Sequence, residues 1–343
     1  MHRTSDYDYD LPSEQIAQHP TERRDRSRLL VIDRESGERH HRRFSDLPEY
    51  VQTGDVLVVN ETRVFPARLR GRRSGGGAAE VLLLHPAEDD TLWTALVRPG
   101  AKMRPGRVIK VAPDLSVEVV EMLPGGERLV RLLSSLPTEE ALDRFGEMPL
   151  PPYMKREVTE KDRDRYQTVY ARERGSVAAP TAGLHFTPDL LARLQEQGVT
   201  LARLVLHVGV GTFRPVEVED PSDHPMHREW YHVSPEAAAT VNAARARGDA
   251  VWAVGTTSVR TLESVADEGG EVHAGSGWTD LFIRPPYRYR TVDHLITNFH
   301  LPRSTLLMLV AAFAGYELTM DAYREAVTRE YRFYSYGDAM AIL

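Results

Sequence analysis

Between about Val64 and Leu133 the chain carries six short alternating stretches and almost no helical period, and this block constrains the fold more than any other feature. The stretches are Ala67 to Arg72, Ala79 to His85, Leu92 to Arg98, Arg107 to Ala112, Ser116 to Leu123 and Arg128 to Leu133. Gly75-Gly76-Gly77, Pro99-Gly100, Pro105-Gly106 and Pro124-Gly125-Gly126 separate them. Short strands at regular spacing, each bounded by glycine or proline, fold as a small antiparallel barrel or sandwich. A helix over Thr138 to Phe145 and exit prolines at Pro149, Pro151 and Pro152 close the block.

On either side the period changes. The first 60 residues mix an amphipathic piece, Ser13 to Gln18, with a strand Leu29 to Ile32, a turn at Ser36-Gly37 and a strongly apolar strand Asp55 to Asn60. After Tyr166 helices and strands alternate. Thr187-Pro188-Asp189 opens a helix closed by Gly198, and Ser234-Pro235-Glu236 opens one that ends before Gly248. Each has a capping hydroxyl followed by proline at the first helical position. Strands are expected at Leu201 to Val208, Ala250 to Val254, Leu281 to Arg284 and Val292 to Asn298. Further helices are expected from about Ser258 to Asp267, after Ser304 and after Thr319.

Such alternation builds an α/β domain on a mixed, partly parallel sheet. The expected architecture is an α/β catalytic domain, discontinuous over 1-63 and 151-343, carrying a small antiparallel β-barrel domain inserted over 64-150. A length of 343 residues fits two domains.

Composition removes whole classes of chemistry. There is no cysteine, so disulfides, thiolate nucleophiles, Cys-ligated zinc and iron–sulfur clusters are excluded. The N-terminus has no apolar signal region, and the longest apolar run, Leu306 to Ala314, is too short for a bilayer, which gives the expectation of a cytoplasmic protein. A net charge of -7 argues against a general nucleic-acid coat protein but leaves room for a local basic patch. Only Lys102, Lys110, Lys155 and Lys161 are lysines among 43 basic residues, so arginine supplies nearly all positive charge. Arginine suits bidentate carboxylate and phosphate binding, although a GC-rich coding bias gives the same count.

Several motifs fail. No lysine follows a glycine, which excludes a Walker A loop. Gly209-Val210-Gly211-Thr212-Phe213-Arg214-Pro215 places Arg214 where a dinucleotide fingerprint needs glycine. His224, His227 and His232 lie close in sequence, but Pro225 spoils helical pairing, so they read as loop or core histidines rather than metal ligands. The Asn60-Glu61-Thr62 sequon is a chance match in such a setting.

Five segments carry candidate chemistry, three of them strand ends that meet at one edge of the expected sheet. Ser176 to Thr187, with Thr181, Gly183 and His185, precedes a capped helix and forms a plausible anion or substrate pocket. Its plain alternative is a tight turn that packs Phe186. His207, followed by Gly209, Gly211 and Thr212, ends a buried strand, where open α/β sheets bind ligands. For a lone histidine the commoner reading is a satisfied core residue beside a bulge. Gly255-Thr256-Thr257-Ser258 runs into a helix with Arg260 on its first turn, an anion site or an ordinary cap. Asn298, His300 and Arg303 mark a third crossing, and Asn60-Glu61-Thr62-Arg63 offers a fourth wall with the carboxylate Glu61.

Taken in order, these segments resemble the S-adenosylmethionine:tRNA ribosyltransferase-isomerase family of queuosine biosynthesis. The resemblance rests on Phe44-Ser45-Asp46-Leu47-Pro48, Val58 to Val64, Ala178 to Phe186, His207 to Phe213, Val254 to Arg260 and Asn298 to Pro302. It implies an α/β domain with an inserted β-barrel. The implied reaction transfers and isomerises the ribosyl part of S-adenosylmethionine onto 7-aminomethyl-7-deazaguanine at the tRNA wobble position, giving epoxyqueuosine, adenine and methionine. The implied partners are S-adenosylmethionine and the anticodon loop, with no membrane, no metal and no cofactor, since S-adenosylmethionine is consumed.

On this resemblance His185, His207, His300 and Glu61 are the candidate bases and acids for forming a sulfonium ylide and releasing adenine. Arg260 or Arg303 would hold the methionine carboxylate, and Gly255, Thr256, Thr257 and Ser258 would orient ribose. Interleaved basic and aromatic residues, Arg228, Trp230, Tyr231, Arg284, Tyr287, Arg288 and Tyr289, are the candidate tRNA surface, the bland alternative being a solvated arginine face edged by tyrosines. Two rivals remain at this point: a nucleoside-transferring or hydrolysing enzyme that does not need tRNA, and a non-catalytic tRNA-binding module.

Overall fold

The computed structural model describes residues 2–87, 89–209, 211 and 215–343. In chain order the elements are β1 (Arg28–Ile32), β2 (Arg39–Arg43), β3 (Val56–Asn60), β4 (Thr62–Val64), β5 (Arg68–Arg73), β6 (Ala78–Pro86), β7 (Leu92–Arg98), β8 (Val108–Ala112), β9 (Leu115–Met122) and β10 (Arg128–Ser134). Then follow α1 (Thr138–Phe145), α2 (Glu160–Arg165), β11 (Glu173–Ser176), α3 (Pro188–Glu196), β12 (Thr200–Leu206), β13 (Glu229–Val233) and α4 (Pro235–Arg247). The chain ends with β14 (Val251–Val254), α5 (Thr256–Val265), β15 (Gly275–Thr279), β16 (His294–Asn298), α6 (Thr305–Ala314), α7 (Tyr316–Thr328) and β17 (Ala339–Ile342).

A nine-stranded mixed sheet runs in the order β15-β13-β12-β3-β14-β16-β17-β1-β2. Its centre is parallel: β12, β3, β14 and β16 all point the same way. Every residue of β3 is buried, as a strand covered on both faces requires. Successive side chains feed opposite layers: Val56 and Val58 join the core under α4 to α7, while Leu57 and Val59 join the core that holds α3 residues Leu190, Leu191 and Leu194.

The helix boundaries follow from capping. In α4 the Ser234 hydroxyl accepts from the Ala237 N–H at 3.1 Å, Pro235 takes the first helical position, and Gly248 ends the helix at φ 84°. Among the described residues no single helix is long and apolar enough to cross a membrane.

The glycine- and proline-rich block closes into a six-stranded antiparallel barrel, β10-β7-β6-β5-β8-β9, around Leu69, Val81, Leu83, Ile109, Val117 and Val130. A separate parallel pair, β4 with β11, lies beside it in sequence. The mixed large sheet and closed antiparallel barrel are the architecture expected from the alternation and the turn spacing.

Some local expectations fail. Leu281 to Arg284 is not a strand; Pro285 and Pro286 follow it, the Leu281 carbonyl accepts from the Arg260 Nε instead of a ladder, and the neighbouring strand is β15. The helix expected from Ser258 starts two residues earlier, because Gly255 at φ 86° makes the turn and frees Thr256 to enter the helix. The piece Ser13 to Gln18 forms only a short 3-10 turn, Ser13–Gln15.

Candidate active site

The carboxyl ends of the four parallel strands meet at one edge, the place where an open α/β sheet binds ligands. Asn60 clamps the β3 and β12 ends together there: its Nδ2 donates to the Leu206 carbonyl at 2.9 Å, and its Oδ1 accepts from the Leu206 and Thr62 N–H groups.

Two hollows open at this edge and share Val208. The inner pocket is small and is lined by Ala179 to Ala182, Gly255 to Thr257, Thr297 to His300, Leu306, Tyr334 and Ser335. The outer cleft, about 1070 Å³, lies between the sheet and the barrel; His207, Gly209, Gly211, Arg228, Trp230 and Trp278 face Leu84, His85 and Pro86 of β6. A smaller hollow of about 440 Å³ shares Leu306 with the first and Gly211, His227 and Glu229 with the second.

The three candidate histidines differ in what their nitrogens do. His185 is buried and both its nitrogens are engaged: Nδ1 meets the Ser27 hydroxyl at 2.7 Å and Nε2 meets the Asn298 Nδ2 at 3.0 Å. Asn298 can only donate there, so Nε2 is the acceptor and Nδ1 carries the proton. Burial, helped by Arg24 and Arg332, pushes its pKa down to about 3. His185 is absent from the pocket lining, so it holds Asn298 rather than meeting a substrate directly.

His207 sits at the other extreme. Its Nδ1 lies 2.8 Å from the Thr62 hydroxyl, which itself points at the Glu173 carbonyl at 3.4 Å. That chain makes Nδ1 the donor and leaves the Nε2 lone pair without a partner among the described residues. The ring stacks on Trp230 at 5.1 Å, and burial lowers its pKa to about 4, so it is neutral near pH 7.

His300 lines the inner pocket with Nε2 against the Thr297 hydroxyl at 2.9 Å, and burial lowers its pKa to about 3. Glu61 lines a further groove with Arg172 and Arg203 that also takes in His207 and Trp230, and its carboxyl pKa is raised by burial against the pull of those arginines.

The expected carboxylate clamp is also rearranged. Arg260 is buried in an ion pair with Glu229, and its Nε donates to the Leu281 carbonyl at 3.1 Å. Glu229 in turn accepts from the Gly209 N–H at 2.8 Å, so the pair orients the loop after His207. Arg303 lines neither hollow; its main chain, at φ 55°, joins the Tyr7 carbonyl to the Val216 N–H.

Of the other pocket candidates, Thr181, Gly255, Thr256, Thr257 and Asn298 line the inner pocket. Ser258 donates back to the Val254 carbonyl at 2.8 Å, and Gly183 packs on the Tyr170 hydroxyl with no room for a side chain. Thr212 lies outside the described residues.

The tRNA candidates separate in the same way. Arg228 and Trp230 line the outer cleft. Tyr231 points to the opposite face of β13, against Ala178, Leu206 and Val208. Tyr287 and Tyr289 pack on the main core; their hydroxyls donate to Glu263 at 3.1 Å and to the Leu309 carbonyl at 2.8 Å. Arg284 lies over Phe282, and Arg288 is exposed. The buried Glu263 thus fixes Tyr287 and also accepts from the Arg290 and Thr291 N–H groups.

Sequence reasoning missed Tyr334 and Ser335 in the inner pocket and Trp278 and His85 in the outer cleft. Tyr334 adopts φ 77°, a costly conformation for an aromatic residue, while its N–H donates to the Phe299 carbonyl and its carbonyl accepts from Asn298. The aromatic run Tyr331 to Tyr336 was the available signal. Trp278, 46% exposed, had none, because Gly275 to Trp278 shows no strand alternation.

Among the described residues no group of three or more His, Asp or Glu side chains is arranged to hold a metal. The model of the family described as "Queuosine biosynthesis protein" matches residues 4–342. S-adenosylmethionine:tRNA ribosyltransferase-isomerases from Symbiobacterium thermophilum and Moorella thermoacetica are each 60% identical to the chain, covering 99% of it and 100% of their own length. A crystal structure of S-adenosylmethionine tRNA ribosyltransferase from Thermotoga maritima matches with a TM-score of 0.58 at 40% identity, covering 99% of this chain and 100% of that one.

Proposed function

The chain belongs to the queuosine biosynthesis protein family, and from that premise we propose how its two hollows divide the work of the family's reaction. It is a S-adenosylmethionine:tRNA ribosyltransferase-isomerase, acting on S-adenosylmethionine and tRNA. The reaction moves the ribosyl part of S-adenosylmethionine onto 7-aminomethyl-7-deazaguanine and rearranges it to epoxyqueuosine, releasing adenine and methionine.

The observation that carries the assignment of roles is the Nε2 of His207, free among the described residues and in a fixed tautomer, beside an aromatic-walled cleft that shares Val208 with the inner pocket. In this reading the wobble nucleotide of the anticodon loop enters the outer cleft, splayed out and stacked near Trp230, with Arg228 at a phosphate. S-adenosylmethionine spans the junction, with its C5′ next to His207.

A sulfonium acidifies the C5′ protons. His207 takes one on Nε2, leaving a carbanion stabilised by the adjacent sulfur, and the imidazolium so formed holds the proton that departing adenine requires. Its low pKa keeps the lone pair available throughout the neutral range. His300 stays neutral for the same reason and acts as a hydrogen-bond partner inside the inner pocket, not as a strong acid. His185 acts through Asn298, a positioning role. The reading takes S-adenosylmethionine as a consumed substrate, calls for no resident cofactor or metal, and sets the reaction in the cytoplasm, with tRNA.

The test mixes purified protein, S-adenosylmethionine and tRNA carrying 7-aminomethyl-7-deazaguanine, then follows adenine release and nucleoside mass together. Coupled adenine and epoxyqueuosine in the wild type, lost in His207→Ala, is the expected result. Full turnover by His207→Ala would remove the base assignment.

A further inference from the structure

Asn298 is 2% exposed and lines the inner pocket, yet only one end of its amide is satisfied. Its Nδ2 faces the His185 Nε2 at 3.0 Å, the Tyr334 carbonyl at 3.2 Å and the Asp338 carbonyl at 3.4 Å. Reversing the amide would set oxygen against two carbonyls, so the orientation is fixed. Oδ1 then has no partner among the described residues. A buried acceptor left unmatched is costly, and the cost is relieved only by a group that brings an N–H or O–H. Thr257 Oγ1, on the same pocket, is buried and unpartnered as well, and a hydroxyl can donate.

The other walls narrow the occupant. Ala179, Pro180, Ala182, Val208, Phe299 and Leu306 make them mainly apolar, and among the described residues no Arg, Lys, Asp or Glu lines the pocket. The charged aminoacid end of S-adenosylmethionine has no counter-ion there. A flat heteroaromatic ring with a donor beside an acceptor fits both the apolar walls and the two orphaned groups.

We propose that the inner pocket seats the adenine of S-adenosylmethionine, with Asn298 Oδ1 accepting from the exocyclic amine and the Thr257 hydroxyl donating to a neighbouring ring nitrogen. This rests on the reading above and adds to it the residue that selects the base. Ser27 and His185 hold the selector in place, which explains a buried histidine with no open nitrogen.

The experiment compares S-adenosylmethionine with its deaminated counterpart, in which a ring carbonyl replaces the amine, using epoxyqueuosine formation as the readout. Wild type is expected to lose about 10³-fold in kcat/KM on the deaminated substrate, because a site built to accept from an N–H rejects an analogue that lacks it. Asn298→Ala is expected to fall by a similar factor with S-adenosylmethionine, while its preference between the two substrates shrinks below about tenfold. Equal use of both substrates by wild type, or an undiminished preference in Asn298→Ala, overturns the proposal while leaving the family reaction standing.

Asn298→Ala also strips a partner from His185, so a folded comparison is needed. Thr257→Val removes a hydroxyl that has no protein partner, and equilibrium binding of free adenine and hypoxanthine to wild type needs no turnover. Adenine should bind wild type at least fiftyfold tighter than hypoxanthine, and Thr257→Val should weaken adenine about tenfold. Indifference to the base, or unchanged adenine binding by the variant, overturns the proposal. Absence of epoxyqueuosine from S-adenosylmethionine alongside a retained adenine preference would instead count against the family reading and leave the base pocket intact.

Discussion

His185 and His207 both carry the proton on Nδ1, and what separates them is whether Nε2 has a partner among the described residues; at His207 a hydroxyl decides the tautomer. Thr62 accepts from Nδ1 and so leaves Nε2 as the lone-pair nitrogen. Thr62→Val removes that acceptor while keeping the shape, so the tautomers mix and kcat should fall about tenfold, with tRNA Kd unchanged. Single-turnover kinetics beside a tRNA titration check this; an unchanged rate would mean that something else sets the tautomer. The same burial makes the fold acid-sensitive. The folded pKa of His185 and of His300 is about 3, against about 6.5 for an unfolded histidine. The unfolded chain therefore gains protons first as pH falls. The stability these two groups give is whole above about pH 6.5 and declines below it, by about 1.4 kcal/mol per pH unit for each, down to their folded values. Denaturant midpoints at pH 7, 6 and 5 measure the slope, and His300→Gln should lose close to its one-histidine share. Identical slopes for variant and wild type would show that His300 titrates normally.

At the scale of elements, β11 makes room for the base. A Cβ built on Gly175 would lie 2.5 Å from the His207 Nε2, so Gly175→Ala must displace the imidazole. The expected result is a loss of kcat of about 10²-fold together with a lower thermal midpoint, because alanine is strained at the φ of 156° that Gly175 adopts; a fully active Gly175→Ala would show that the ring can move without cost. The β13–α5 contact carries a different load. Glu229→Gln leaves the Arg260 guanidinium buried without its counter-charge, which should destabilise the protein by about 3–5 kcal/mol in chemical denaturation. A change under about 1 kcal/mol would mean that the loop at Gly209 relaxes to let water in. These contacts also show what the sequence could disclose. α4, with Ser234, Pro235 and Gly248, and β7, Leu92–Arg98, declare themselves by caps and alternation, and α1 and β7 match the expected bounds to the residue. β13 and β15 do not: Glu-Trp-Tyr-His-Val places a buried carboxylate first, and Gly-Ser-Gly-Trp-Thr has no apolar face. Their identity as strands comes from pairing with each other and with β12, which no local pattern encodes. The strand ends at His207, Gly255 and Asn298 were legible as a shared edge because β-to-α crossings mark it. What each side chain does there was not, since Arg260 and Tyr289 differ from open ligands only through partners 31 and 20 residues away.

At the scale of the whole molecule, the outer cleft exists only because two bodies meet. The barrel brings Leu84, His85 and Pro86 from the end of β6, and the sheet brings His207, Trp230 and Trp278. His207, Trp230 and His232 form a stacked ladder across β12 and β13, with ring separations of 5.1 and 6.2 Å. Trp278 stands opposite with the His85 ring edge-on at 5.7 Å and the Arg228 guanidinium 6.0 Å from its centre. A nearly half-exposed tryptophan contributes little to folding, so its use lies in what enters the cleft. A splayed nucleobase stacked there gains about 1–3 kcal/mol. Trp278→Ala should therefore weaken tRNA binding by roughly 5- to 100-fold. His85→Ala should act in the same direction and more weakly, since an imidazole edge offers less stacking surface. Binding of S-adenosylmethionine alone should fall less than binding of tRNA in both variants, because neither residue lines the inner pocket proposed for its adenine. Filter binding of tRNA at fixed salt, with calorimetry for S-adenosylmethionine, separates the two effects. A Trp278→Ala protein that keeps wild-type tRNA affinity would mean that RNA reaches His207 without passing between barrel and sheet. Loss of tRNA binding in both variants would instead make the barrel rim a working part of the substrate site, and the combined His85→Ala and Trp278→Ala protein should then lose less than the sum of the single effects, because the two rings touch.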